Sequence, residues 1–193
     1  MSSVDDRRAT VVVSDATEAD MGAVQDIYAH HVLHGLATFE EIPPSVSEMT
    51  ERRRAVLAAG LPYLVARVDG VIVGYAYATS FRPRPAYRHT IEDSVYVRDG
   101  LASRGVGTVL LGELIRRCSA GPWRQMLAVI GNSGNRGSIR LHERLGFTDA
   151  GTQKAVGFKL GRWVDTVMMQ LPLGPGSSTP PGGDGPGRQT GAP

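Results

Sequence analysis

The chain has 193 residues, of which 41% are hydrophobic, and a formal charge of +2 at pH 7. That is enough chain for one domain with a real core, and too balanced a charge for the basic stripe of a nucleic-acid binder, so no nucleic-acid partner is expected. The single cysteine, Cys118, excludes an internal disulfide and any multi-cysteine metal site, and no apolar run near the start is long enough for a signal peptide or membrane span, which makes the cytoplasm the expected compartment.

Residues 1–8 read as a flexible leader, 9–173 as one domain, and 174–193 as a disordered tail, because PLGPGSSTPPGGDGPGRQTGAP offers almost no apolar surface to offset the entropy of ordering. Within the domain, ATVVV predicts a strand. Thr17 and Asp20 suit a cap for a helix through MGAVQDIYAHHVL, and Ser47 is placed to cap a second helix, EMTERRRAVLAA, that stops at Gly60. His30, His31 and His34 lie in the first helix without an accompanying carboxylate motif, so they read as surface or helix-end residues and no metal is expected.

YLVARVDGVIVGYAYATSF then predicts two strands joined by an Asp69-Gly70 hairpin turn. After the Pro-broken loop FRPRPAYR come the strand HTIEDSVYV, a helix over 105–119, the strand MLAVI, the helix NRGSIRLHERLG, and a terminal strand pair around FTDAG and WVDTVMMQL. Cys118 falls on the apolar side of the third helix, with Leu110, Leu111, Leu114 and Ile115, where a buried thiol is expected. Helices alternating with strands behind an early hairpin imply an α/β (α+β) fold, a mixed central sheet flanked by helices.

The stretch RHTIEDSVYVRDGLASRGVGTVLL concentrates the chemistry. With a period of two, Ile91, Asp93, Val95 and Val97 share one face of the strand, and Thr90, Glu92, Ser94 and Tyr96 the other. Beyond it, Ser103-Arg104-Gly105-Val106-Gly107-Thr108 leads into a helix. Two glycines at a helix N-terminus let an anion reach free backbone N–H groups, although glycines at such turns also serve tight packing alone. The turn is not a dinucleotide GxGxxG loop, since Leu110 stands where the third glycine belongs, and GK[ST] occurs nowhere in the chain.

The succession SVYV, SRGVG, LAVI, NRGS, IRLHERLGF resembles the GNAT superfamily of N-acetyltransferases. FRPRPAYRHTIEDSVYV, SIRLHERLGF and AVGFKLGRWVD, taken together from about residue 10 to 173, resemble its phosphinothricin and methionine-sulfoximine acetyltransferase family. Ala102 departs from the pattern, which opens the pyrophosphate loop with Gln or Arg, and His142 stands where many superfamily members carry an acidic Tyr. The resemblance implies a GNAT fold with acetyl-CoA held between splayed central strands, no metal, and a homodimer formed partly by Gly157–Trp163.

It also implies roles. Glu92, on the polar face, suits the general base that takes a proton from the amine, while Asp93 reads as structural. Backbone groups of Val95, Tyr96 and Val97 would hold the thioester arm, and the amides of Ser103, Arg104, Gly105, Val106, Gly107 and Thr108 the pyrophosphate. Asn135 and Ser138 are further cofactor contacts, Asn135 also being placed to cap its helix. His142 would face the sulfur, either protonating the thiolate or filling a polar niche.

The cationic loop before Glu92 suits the carboxylate and oxyanion groups of a small amino-acid-like amine, with Phe39, Arg82, Arg84, Tyr87 and Thr90 as substrate contacts. Two rival functions stay open: acetylation of a peptide N-terminus or other amine, and a non-catalytic acyl-CoA-binding sensor. Glu92 speaks against the sensor, and the cationic loop against polyamines.

Overall fold

The computed structural model describes residues 10–102 and 104–182. Its strands are β1 (Val12–Asp15), β2 (Tyr63–Val68), β3 (Val71–Ser80), β4 (Thr90–Val97), β5 (Gln125–Gly131), β6 (Thr148–Lys159) and β7 (Arg162–Pro172). The helices are α1 (Met21–His34), α2 (Val46–Ala58), α3 (Val106–Ser119) and α4 (Arg136–Arg144). One seven-stranded sheet runs in the order β1-β2-β3-β4-β5-β7-β6. Among the described residues β4 and β5 form its parallel pair, and the other neighbours are antiparallel.

Local chemistry explains most of the boundaries. Asp69 and Gly70 take φ of 48° and 80°, the two positive values that a tight hairpin turn between right-twisted strands requires. The α2 cap is Ser45, not Ser47: Ser45 Oγ accepts from the Glu48 N–H at 3.2 Å, and the Glu48 carboxylate accepts from the Ser45 N–H at 2.7 Å. A reciprocal box needs an acidic residue three places on; Ser45 has Glu48 there, whereas Ser47 has Thr50. Thr17 does engage Asp20 (N–H to Oδ2, 2.8 Å), but the pair opens a short 3-10 turn, Glu18–Asp20, ahead of α1.

The sheet is covered on both faces, and β3 shows how neighbouring residues divide between them. A side chain at Gly74 would meet Leu110 and Val106 of α3. Tyr75 points the other way, stacking on Tyr63 and on Tyr96, which in turn meets Tyr28 of α1 edge-on at 5.1 Å. Leu110, Leu111, Leu114 and Cys118 of α3 are completely buried, so the apolar stripe is the face that holds this helix to the sheet. Burial, with the nearby Asp93 charge adding to it, pushes the Cys118 thiol up to about 12, which removes its nucleophilic form at neutral pH.

At the chain's end β6 continues past FTDAG to Lys159, so FKLGRW forms the tip of a long β6–β7 hairpin. Of the tail expected from residue 174, residues 174–182 are described and turn back over Arg124. Its guanidinium donates to the carbonyls of Gly176 and Pro180 at 3.2 and 2.7 Å and to Thr179 Oγ1 at 3.1 Å. Residues 1–9 and 183–193 lie outside the described residues.

Gly131 closes β5 against the chain that follows α1. A Cβ there would sit 2.3 Å from the Leu36 carbonyl oxygen, and backbone cannot give way as a flexible side chain would. Gly131→Ala is expected to lower stability by about 1–3 kcal/mol in urea unfolding, whereas Gly22→Ala, with nothing within 4 Å of its Cβ position, is expected to leave the urea midpoint unchanged or raise it.

Candidate active site

The site begins where two strands part. The β4–β5 ladder runs from Thr90–Gln125 to Asp93–Ala128 and then ends, although β4 continues to Val97 and β5 to Gly131. Backbone groups alternate between the two edges of a strand. The Arg98 N–H bonds the Val73 carbonyl on the β3 side, so Val95 and Val97 direct theirs toward β5, into the gap. His31 Nε2–H donates to the Val97 carbonyl at 2.9 Å. That carbonyl is therefore engaged, whereas the Val95 backbone groups and the Val97 N–H have no ladder partner.

The gap opens into a cleft of about 490 Å³ lined by Val95, Tyr96, Val97, Gly105, Gly107 and Thr108, with Asn135, Ser138 and His142 across from them. At one end stands the N-terminus of α3, capped by Gly105 at a φ of 84°. The left-handed turn there leaves open space where a Cβ would be, so backbone N–H groups face the cleft unshielded. Ala102 lines it too, so its small side chain leaves the amides accessible. Val106 is different: its side chain is buried against Gly74, and only its backbone belongs to the turn. Arg104 is exposed, and Ser103 lies outside the described residues.

An elongated donor bearing a pyrophosphate at one end and a thioester at the other fits this arrangement. The α3 turn would hold the anionic end, and the free β4 groups the amide-bearing arm. Among the described residues no group of three or more His, Cys, Asp or Glu is placed to hold a metal ion.

On the opposite wall Asn135 caps α4, its Oδ1 accepting from the Ser138 N–H at 3.2 Å, and it lines the cleft as well. His142 lies one helical turn after Ser138 and is 2% exposed. Its Nδ1–H donates to the Ser138 carbonyl at 2.8 Å, and its Nε2 lies 3.1 Å from Asp93 Oδ2. Phe147 meets the ring edge-on at 4.9 Å. Burial alone would lower the His142 pKa; the hydrogen bond and charge of Asp93, with the Ser138 carbonyl, overcome it and raise the value.

Glu92 is on the other face of β4, opposite Thr79 of β3. It is half-buried and does not line this cleft. Burial, then the adjacent Asp93 charge, pushes its carboxyl up to about 7, within range of a working base at neutral pH. The same face carries the stacked rings of Tyr63, Tyr75 and Tyr77. Beside them the Tyr28 hydroxyl donates to Glu40 Oε1 at 2.9 Å, and Arg52 Nη1 donates to the same oxygen at 2.7 Å.

The residues expected at the amine form a separate grouping. Arg82 stacks over the rings of Phe81 and Tyr87, at 4.8 and 5.7 Å from their centroids. Arg84 is exposed beside the 3-10 turn Pro85–Tyr87. The Thr90 carbonyl, at the start of β4, accepts from the Phe81 N–H at 3.2 Å. Phe39 packs over Gly157 of β6, far along the chain. None of these lines the cleft.

Two cleft residues have partners that the sequence reading does not name. His31, read as a surface or helix-end residue, lies in the last turn of α1 and holds the Val97 carbonyl; burial, opposed by that bond, lowers its pKa and favours the neutral ring. Its Tyr96 contact at 5.3 Å leaves no periodic signal in sequence. Asp93, read as mainly structural, is the buried partner of His142 and lines the cleft.

The acetyltransferase (GNAT) domain family matches residues 13–168. The chain is 54% identical over 174 residues to phosphinothricin N-acetyltransferase of Alcaligenes faecalis, covering 90% of this chain and 88% of that protein. It is 40% identical to the L-methionine sulfoximine/L-methionine sulfone acetyltransferase of Pseudomonas aeruginosa, covering 87% of this chain and 98% of that protein. The crystal structure of a GNAT superfamily phosphinothricin acetyltransferase from Sinorhizobium meliloti in complex with acetyl-CoA superposes with a TM-score of 0.86 at 47% identity, over 89% of this chain and 93% of that one. With its mixed sheet, its parted strands and its glycine turn at a helix N-terminus, the chain belongs to the GNAT family of N-acetyltransferases, with acetyl-CoA as the acetyl donor.

Proposed function

We propose that the chain acetylates the α-amine of a small amino-acid analogue of the phosphinothricin or methionine sulfoximine and sulfone type, by direct transfer from acetyl-CoA in the cytoplasm. The observation that carries this reading is the pair of working groups on β4 and α4: Glu92, with its carboxyl near 7, on one face of the strand, and His142 in the cleft on the other. The names of the relatives supply the substrate class.

In this reading Glu92 deprotonates the ammonium, directly or through a water. The Val95 backbone groups, the Val97 N–H and the Gly105 to Thr108 amides hold the donor in place, while the Tyr96 backbone stays in the β3 ladder. His142 gives a proton to the departing thiolate. Fixing amine and thioester side by side contributes most, since effective molarities for oriented groups reach about 10⁵–10⁸ M. Thr90 shares the Glu92 face by alternation and joins it to the loop that carries Arg82, Arg84 and Tyr87, which suit the analogue's anionic groups. Phe39 would wall the pocket from the side of β6.

A homodimer completes the proposal. The β6–β7 hairpin presents Val156, Phe158, Leu160 and Trp163 between 54% and 67% exposed, an apolar group of the kind that marks a protein interface. Sedimentation is expected to give a dimer for the parent chain and a shift toward monomer for Trp163→Asp; a parent that sediments as a monomer at tens of micromolar would remove the dimer.

Thiol release from acetyl-CoA is the test of function, with phosphinothricin, methionine sulfone, spermidine and a short peptide as acceptors. Turnover is expected on the first two, and turnover confined to the others would sink the substrate class. Glu92→Gln is expected to lose about 10²–10⁴ in kcat.

Two pH effects follow from the raised Glu92 carboxyl. The carboxylate form is the base, so kcat/KM should rise through a pH of about 7, and the Gln variant should lack that limb. The folded chain also binds the Glu92 proton more tightly than the unfolded chain, whose value is near 4.5. Stability from this group is therefore undiminished below about 4.5 and falls as pH rises toward 7. The Tm of Glu92→Gln should exceed that of the parent at pH 8 by a margin that closes at pH 4.5.

A further inference from the structure

The hydrogen bonds of His142 require a proton that an ordinary neutral histidine lacks. Its Nδ1 lies 2.8 Å from the Ser138 carbonyl, which can only accept, with the Ser138 hydroxyl at 3.5 Å too distant to compete, and its Nε2 faces Asp93 Oδ2 at 3.1 Å. A neutral imidazole has one donor nitrogen and one acceptor. The carbonyl takes the Nδ1–H, so Nε2 carries a second proton toward the Asp93 carboxylate. Loss of that proton would set a ring lone pair against a carboxylate oxygen where each side chain is 2% exposed to solvent.

Asp93 has a second peculiarity: its Oδ1 is buried without a hydrogen-bond partner. A residue kept only for packing gains nothing from an unsatisfied carboxylate oxygen, and an apolar side chain would fill the place at lower cost. Both Asp93 and His142 line the cleft.

We propose that Asp93 is a positioning residue of the transfer, which locks the His142 ring and keeps a proton on the Asp93–His142 pair at the cleft wall for the thiolate that leaves. This rests on the acetyl-transfer reading above. As the amide C–N bond forms and the C–S bond breaks, the electron pair goes to sulfur, and the thiolate takes the Nε2 proton. The ammonium sheds two protons in all: one restores the pair and one goes to solvent, so a single proton is released per turnover. Burial lowers the His142 pKa, and the hydrogen bond and charge of Asp93 outweigh it, so the ring holds its proton more firmly than an ordinary imidazolium until the thiolate forms.

The groups that bear on this proton come from each neighbouring element. Glu92 on β4 and Cys118 on α3 both sense the Asp93 charge. Arg140 and Arg144 of α4 line the same cleft, and β5 presents the uncharged stretch Ala128–Gly131 there. Cys118 stays a neutral thiol, and Asp93 is the carboxylate that meets the ring.

Asp93→Asn removes the charge while keeping the shape, and its amide can donate to an unprotonated Nε2. The histidine ring nitrogens of the full-length chain are titrated by ¹⁵N NMR, with His142→Gln to assign the signal. In the parent, both His142 nitrogens should be protonated at pH 7.5; in Asp93→Asn the ring should be neutral there. With phosphinothricin as acceptor, kcat at pH 7.5 should fall about 10- to 100-fold, with the KM for acetyl-CoA changed less than about 2-fold.

A neutral parent ring at pH 7.5 overturns the proposal, and that measurement stands even if the variant fails to fold. So does a folded Asp93→Asn with an unaltered ring titration or an unaltered kcat. A parent that releases no thiol in response to any of the amines sinks the acetyl-transfer reading itself, whereas normal turnover with a ring indifferent to Asp93→Asn sinks the role of Asp93 alone.

Discussion

The site depends on the early end of one hydrogen-bond ladder. β4 and β5 pair over Thr90–Asp93 and Gln125–Ala128 and then part, so backbone groups that a continuous sheet would satisfy are left facing a cleft. Unpaired backbone groups away from water are costly, and a fold keeps them only where something else meets them. His31 meets the Val97 carbonyl from α1. The remaining groups are available to a bound amide-bearing arm, and the strand edge becomes a binding surface without any special side chain.

The second consequence of the same strand is the division of Glu92 from Asp93. Adjacent residues on a strand point to opposite faces, so one peptide unit separates a carboxylate among stacked tyrosines from one bonded to a buried histidine. The two charges still sense each other: Asp93 is the second cause of the raised Glu92 value, after burial. Amine chemistry and thiol chemistry need opposite proton movements. A sheet one residue thick sets two adjacent carboxyl groups in different surroundings, Asp93 at the cleft and Glu92 on the far face.

Much of this was legible from local pattern. The alternation in HTIEDSVYV set Glu92 and Asp93 on different faces, the Asp69-Gly70 pair marked the hairpin, and the glycines after β4 marked the α3 turn. What local pattern could not carry are pairings made by folding. Asp93 and His142 are 49 residues apart and His31 and Val97 are 66 apart, so nothing in either segment announces the other. The α2 cap was missed for a different reason: Ser45 and Ser47 are both good cap residues, and only the carboxylate three places further on distinguishes them. The length of β6 was missed because its outer residues are irregularly exposed and its ladder to β7 shifts register between Gln153 and Gly157, which breaks the alternation a strand is recognised by.

The sheet order carries a mechanical consequence. Strands β1 to β4 form one antiparallel block and β5, β7 and β6 another, and between them the ladder comprises four residue pairs. Each block is built from neighbours joined by antiparallel ladders, while the joint is short and parallel, so the joint is the seam along which the sheet yields most easily. A donor bound in the cleft at that seam would touch both blocks, since residues of β4 and β5 line it. Its binding energy is added where the protein is weakest, and a molecule consumed in the reaction also serves, while bound, as a rivet across the two halves.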